Sequence, residues 1–219
     1  MVIASTVHDM KNSLGNLMHA HGQWVAQLPE AQREVPEQGV INYQFAHLNS
    51  MLVQLLGLYK LGVNQLPLRP DYHELDDFLE AQLALHEEVL SSRGISAHFE
   101  VEDFALPAFF DRELIGSVVS NVVVNAIRYA RGQILLSAGL VDEQLVITIN
   151  DDGPGFPVHL VEHQTDYVTG INQSSGSTGL GLHFAACIAR QHQRQGAHGR
   201  IEIANGGELG GGKFSIFLP

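Results

Sequence analysis

The chain has 219 residues, with 12 Lys+Arg against 24 Asp+Glu, and its formal charge of −12 excludes an ordinary nucleic-acid binder, whose phosphate contacts need a basic face. A composition of 45% hydrophobic and 16% charged residues is that of a folded chain, long enough for one domain or two small ones, and not of a disordered one. The single cysteine, Cys187, excludes an intramolecular disulfide, and with no apolar run of about 18 residues and no basic-then-apolar leader a cytoplasmic protein without direct membrane insertion is expected.

The first 62 residues carry helical periodicity. Ile3, Val7, Met10, Leu14, Leu17, His21, Trp24 and Leu28 alternate by four and three, the seam of a helix packed in a bundle. Pro29 and Pro36 bracket a polar break, and Ile41, Phe45, Leu48, Leu52, Leu55, Tyr59 and Gly62 repeat the spacing. The spacing predicts an antiparallel helical hairpin, completed by a second copy into a homodimeric four-helix bundle. Two prolines between Asn64 and Pro70 mark a boundary, so residues 1–65 and 70–219 are expected as separate units. Beyond it, helices are predicted over 71–90, 111–130 and 179–191. Strands are predicted over 95–101, 133–140, 145–150, 200–204 and 213–218. The fold class is α+β, a hairpin followed by a two-layer α/β sandwich.

Four places along this frame carry chemistry. His8 and Asn12 sit one turn apart on the wetter flank of the first seam, and Asp9 lies beside the imidazole. A carboxylate that accepts the proton of one ring nitrogen raises the nucleophilicity of the other. Alone, an exposed histidine is more often a plain surface residue. Asn121 and Asn125 stack one turn apart on a valine-rich helix, with Arg128 beyond them. Such a pair either bonds backbone or meets a hydrated Mg²⁺ and phosphate oxygens. Asp151, at a strand end before Gly153-Pro154-Gly155, is an acceptor beside a backbone that a flat ligand can approach; the same residues also suit a tight turn. Last, Gly176-Ser-Thr178-Gly179-Leu180-Gly181-Leu182 opens a helix whose positive end suits a phosphate, with no Walker lysine. The polar stretch 157–175 reads as a lid or a long surface loop.

In order and spacing these four resemble the boxes of the bacterial sensor histidine kinase core. His8 to Leu14 is similar to the phosphoacceptor box, Asn121 to Asn125 to the N box, Asp151 to Gly155 to the G1 box and Gly176 to Leu182 to the G2 box. The closing strands and the Leu218-Pro219 ending are similar too. The resemblance implies a hairpin plus a Bergerat-type ATP-binding domain of the kind shared with gyrase-like ATPases. It implies ATP and Mg²⁺ as cofactors, His8 as nucleophile, Asp9 as its base, and Asn12 as an aid to dephosphorylation of the regulator. Asn125, with Asn121, would hold the metal. Arg128, Asp151, Gly153, Gly155, Thr178, Gly179, Leu180 and Gly181 would line the nucleotide. The implied partners are a second copy and the receiver domain of a response regulator; the chain reads either as an excised core or as a stand-alone kinase controlled by a separate sensor protein. The sequence departs from the family at Ser13, where proline is usual, in a lid whose aromatics are reduced to Phe156 and Tyr167, and in a small insertion at 193–198. Two other readings share the frame: a histidine phosphotransferase that no longer binds ATP, and a non-catalytic dimer that sequesters a regulator.

Overall fold

The structure, a computed structural model, describes residues 2–29, 36–102, 108–162 and 180–219. Two long helices, α1 (Val2–Ala26) and α2 (Pro36–Gly62), pack on each other. His21, near the end of α1, meets Phe45, near the start of α2, edge to face at 5.3 Å, the pairing an antiparallel hairpin requires. The seam on α1 is split in two. Val7 and Leu14 are buried, whereas Met10, Leu17 and Trp24 are 53%, 57% and 55% exposed. On α2, Ile41, Leu48 and Leu55 form a matching uncovered row. The opposite side of α2 carries a second seam that the first one hides from a reader of the sequence: Gly39, Tyr43, Ala46, Ser50, Gln54, Gly57 and Leu61, again at spacings of four and three. This seam packs against the rest of the chain, with Tyr43 in the main core and Ala46 and Leu61 against it.

After Gly62 the chain runs through Pro67 and Pro70 into a short strand, β1 (Asp71–His73), and two short helices, α3 (Leu75–Ala84) and α4 (Glu87–Ser92). One helix over 71–90 was expected. The prolines force extended backbone before it, Tyr72 pairs with Phe109 on β3 (Ala108–Phe110), and the helix breaks at His86. That ring is buried and its Nε2 lies 2.9 Å from Ser120 Oγ.

A five-stranded sheet forms the second layer, in the order β2-β4-β5, then the last strand, then the strand before it. Here β2 is Ser96–Val101, β4 Gln133–Val141 and β5 Gln144–Asp151. Among the described residues, only β2 and β4 pair in parallel. The insertion at 193–198 folds as a small hairpin, β6 (Gln193–Arg194) with β7 (Ala197–His198), and the chain closes with β8 (Arg200–Asn205) and β9 (Gly212–Leu218). Alternate residues point inward: Leu136 faces Ile149, Ile147 faces Ile216, and Phe214 faces Ile203. The layer above them contains α5 (Arg112–Tyr129), the five-residue α6 (Val158–Glu162) and α7 (Leu180–Gln191).

The valine-rich α5 would suit a strand on propensity alone. Its helical state follows from the cap and from burial. Asp111 Oδ1 accepts from Leu114 N at 3.0 Å, while Ile115, Val118, Val119, Val122, Val123 and Ile127 recur at helical spacing and are buried. Burial of each such side chain contributes about 1.5–3 kcal/mol, more than the helix-propensity penalty of a valine. Asp111 also ties the fold together. Its Oδ2 accepts from Arg69 N at 2.7 Å, and its own N–H donates to Nε2 of buried His192. Burial lowers the His192 pKa, with the Ile188 carbonyl and Asp111 acting against it, and the accepted bond requires the neutral ring.

Candidate nucleotide site and phosphoacceptor histidine

The G1 residues form a corner closed by backbone. Asp151 ends β5, and its Oδ1 accepts from Gly153 N at 2.7 Å and Gly212 N at 3.2 Å. Both donors converge on one oxygen, so Oδ2 is left as an acceptor with no hydrogen bond among the described residues. The glycines are steric requirements here. A Cβ on Gly212 would sit 2.7 Å from Asp151 Oδ2, and one on Gly155, whose φ is +80°, would sit 2.5 Å from Asn205 Oδ1. Such a cradle fits a flat heterocycle with an amino donor.

Two residues that sequence reasoning missed hold the corner in place. Asn205, at the end of β8, accepts from Phe156 N at 2.6 Å and donates to Phe156 O at 2.8 Å, stapling the glycine turn to the sheet edge. Asp152 Oδ1 accepts from Arg131 N at 2.7 Å and Gly132 N at 3.1 Å, joining the end of α5 to the start of β4. Slight burial raises the Asp152 pKa, but the backbone N–H groups of Gly132, Gln133, Arg131 and Asp152 outweigh it and hold the carboxyl below its usual value. Asp152 was within sight, one residue after Asp151. Asn205 carried no local signal.

The N box is arranged differently. Asn125 and Arg128 are exposed, but Asn121 is only 5% exposed and lies where α2, α5 and α7 meet. Its Oδ1 accepts from Gln54 Nε2 at 2.6 Å and from Ser50 Oγ at 3.2 Å, both on α2, and Gln54 Nε2 also reaches Ser50 Oγ at 3.0 Å. Its Nδ2 faces Gly181, where a Cβ would come within 2.9 Å. Arg128 also stands beside α2: burial lowers the pKa of His47, and the Arg128 charge lowers it further. Leu180 and Gly181 open α7 and are half-buried. Thr178 and Gly179, the lid over 163–175 and Tyr167 lie outside the described residues. For a hydrated Mg²⁺ the donor set fits in part. Asn125 offers an exposed amide, whereas both lone pairs of the Asn121 oxygen are engaged.

His8 is exposed on α1, its side chain 66% accessible. Asn12 Nδ2 lies 3.2 Å from the ring Nδ1, and Asp9 Oδ1 lies 3.8 Å from the same atom, beyond hydrogen-bond reach. Both neighbours therefore address Nδ1 and leave Nε2 without a hydrogen bond among the described residues. His8 is thus engaged within α1, and Asn121 is engaged with α2.

A two-layer α/β sandwich carrying an aspartate-and-glycine corner at the end of a central strand defines a nucleotide-binding ATPase class. Residues 110–219 match the family of histidine kinase-, DNA gyrase B- and HSP90-like ATPases, and the chain belongs to that family. Within it, the chain is similar to sensor kinases and corresponds to their catalytic core. It is 29% identical over 174 residues to the sensor histidine kinase YkoH of Bacillus subtilis, covering 78% of this chain and 37% of that one. It is 26% identical over 157 residues to the adaptive-response sensory kinase SasA of Microcystis aeruginosa, covering 69% and 41%. The full-length ShkA structure in complex with AMPPNP shares the fold, with a TM-score of 0.67 and 20% identity over 99% of this chain and 45% of that one. The chain spans under half the length of these relatives. Among the described residues, no helix is long and apolar enough to cross a membrane.

Proposed function

We propose that the chain is the core of an ATP-dependent protein-histidine kinase of a two-component system, in which His8 is autophosphorylated and passes its phosphoryl group to an aspartate of a response-regulator receiver domain. Residues 1–65 then serve as the dimerisation and phosphotransfer hairpin and residues 70–219 as the ATP-binding domain. The observation that carries the reading is the presence, in one chain, of an exposed His8 whose Nδ1 is addressed by Asn12 and Asp9, and of a corner in which Asp151 keeps one oxygen open.

Asp151 Oδ2 accepts the adenine amino group, and the glycines at 153, 155 and 212 admit the ring. Asn125 and the helix end at Leu180 and Gly181 face the phosphates. Mg²⁺ supplies neutralisation of phosphate charge, with Asn125 as the chain's own ligand. His8 Nε2 attacks the γ-phosphorus, the bond to the β,γ-bridging oxygen breaks and ADP leaves. The ring becomes cationic in that step. Asn12 Nδ2 can only donate, so in the described geometry the ring proton is on Nε2. Attack by Nε2 requires Asn12 to release Nδ1, which then carries the proton, and Asp9, moving in from 3.8 Å, accepts it and stabilises the charge. Asn12 holds the ring in its resting tautomer and, by resemblance, aids dephosphorylation of the regulator. The uncovered rows Met10, Leu17, Trp24 and Ile41, Leu48, Leu55 support a homodimer in which a second copy covers them.

Incubation with γ-labelled ATP and Mg²⁺ tests the reading. Acid-labile, base-stable label that disappears in His8→Ala is expected. Label that persists in that variant overturns the role of His8, and label arriving only from a phosphorylated regulator replaces the kinase with a phosphotransferase.

A further inference from the structure

The engagement of Asn121 by α2 has a chemical consequence. A carboxamide oxygen has two lone pairs, and here both are taken, by Gln54 Nε2 and by Ser50 Oγ, in a buried triangle of three side chains. Such an oxygen has no electron pair left for a cation or for a water of its hydration shell. We infer that Gln54 and Ser50 form a latch that withdraws Asn121 from the nucleotide site, so that docking of α2 and engagement of Mg²⁺-nucleotide by Asn121 exclude one another. The inference rests on the reading of Asn121 as a nucleotide-site residue.

Three further features belong to the same latch. Gly57 on α2 lies against the Phe184 ring of α7, where a Cβ would sit 2.6 Å from the ring, so α2 rests directly on the helix that the G2 box opens. Gly39 lies against Ser92 at the end of α4, so the same face of α2 is docked near both ends of its contact with the ATP-binding side. Between these points the fit is loose. A cleft of about 600 Å³ separates α2 from α3 and α5, lined by Asn49, Ser50, Val53, Gln82, Gly116 and Ser120, and the buried Gln82 Oε1 has no hydrogen-bond partner there. The contact is mixed: Tyr43, Ala46 and Leu61 are packed at the core toward its two ends, whereas its middle is polar and incompletely filled, so the middle is where α2 separates at lowest cost. Linkage makes the exclusion reciprocal: whatever undocks α2 strengthens Mg²⁺-nucleotide binding, and Mg²⁺-nucleotide undocks α2 by the same factor. Gln54 and Ser50 are accordingly positioning residues, acting through Asn121.

The test measures ADP affinity of the full chain by calorimetry, with Mg²⁺ and in EDTA, so that the metal-dependent part is read separately. Gln54→Ala should raise affinity in Mg²⁺ by about three- to tenfold, the range of one net hydrogen bond, and leave affinity in EDTA unchanged. Gly57→Leu, which lifts α2 off Phe184 without touching the polar triangle, should do the same. Urea midpoints for both variants separate undocking from unfolding. In the unaltered chain, Mg²⁺-ADP should quicken hydrogen exchange of the α2 amides over 50–57, and that readout needs no variant. If both variants leave the Mg²⁺-dependent affinity unchanged while Asn121→Ala lowers it, the latch is overturned and the role of Asn121 stands. If Asn121→Ala added to Gln54→Ala, where the latch is already open, leaves Mg²⁺-dependent binding unchanged, the reading of Asn121 falls, and the latch with it.

Discussion

The aspartate-glycine corner and the N box sit at two ends of one candidate site and are built on opposite plans. At the corner, both hydrogen bonds that orient Asp151 come from backbone within the same sheet and turn, Gly153 N and Gly212 N, and the Asn205 side chain staples the turn at Phe156. It is complete without help from the hairpin. At the N box, the buried asparagine takes its partners from α2, a helix 67 to 71 positions away in the chain. The contrast separates two tasks. In the proposed reading, recognition of the base uses a preformed pocket, whereas commitment of the phosphate end depends on where another part of the chain stands. A site divided in this way can hold nucleotide without being competent to use it.

Acid gives the largest expected effect and takes the two ends apart in order. Burial lowers the pKa of His86, behind the N box, from 6.5 to about 4. A depressed folded-state value means that stability is fully present above 6.5 and is lost as pH falls from there toward 4, by about 3 kcal/mol. Urea unfolding as a function of pH should record that loss, and His86→Gln should flatten it. The Asp152 carboxyl at the corner is also lowered from its usual value, so its contribution persists down to the carboxylate range and is lost only below it. Hydrogen exchange at residues 131–133 should therefore stay protected after the α4–α5 junction has loosened.

Asp151→Ala is the sharpest way to break the corner. Loss of a charged acceptor should weaken ADP binding by roughly 100-fold, and by the same factor in Mg²⁺ and in EDTA, because the base end does not involve the metal. Gly155→Ala attacks the frame of the corner. A side chain at φ +80° facing Asn205 Oδ1 should cost about 2 kcal/mol of stability in urea unfolding. It should leave the hydrogen-exchange protection of α2 as it was. The smallest effect is a control outside both regions. The β4–β5 turn places Asp142 at φ 50° and Glu143 at φ 63°, and Glu143→Gly should stabilise the chain by about 0.5–1 kcal/mol without altering nucleotide affinity.

Much of this was legible in the sequence because the relevant physics is local. The valine helix, its asparagine pair and the aspartate before two glycines each write their requirements within one or two turns of chain. The tight β4–β5 turn was not legible, since Asp142-Glu143 lacks the glycine that advertises positive φ, and the strands run a residue further into it than alternation suggests. The break at His86 was hidden, since the partner of its buried ring, Ser120, lies 34 positions away. The second seam of α2 was present all along as small and amide residues at 50, 54 and 57. The apolar seam drew the eye, and a serine, a glutamine and a glycine on the other face read as solvent-facing until their partners are known.

That two-sidedness of α2 has a mechanical meaning. The uncovered row Ile41, Leu48, Leu55 and the docked row Gly39, Ser50, Gln54, Gly57 are offset by two positions, about 200° around a helix of 3.6 residues per turn, so they lie on nearly opposite walls. One rigid rod is shared between two rooms. A turn of that rod imposed from the bundle side swings the amide of Gln54 through the same angle on the other side, so torque delivered to the hairpin is converted directly into release or capture of a single oxygen atom.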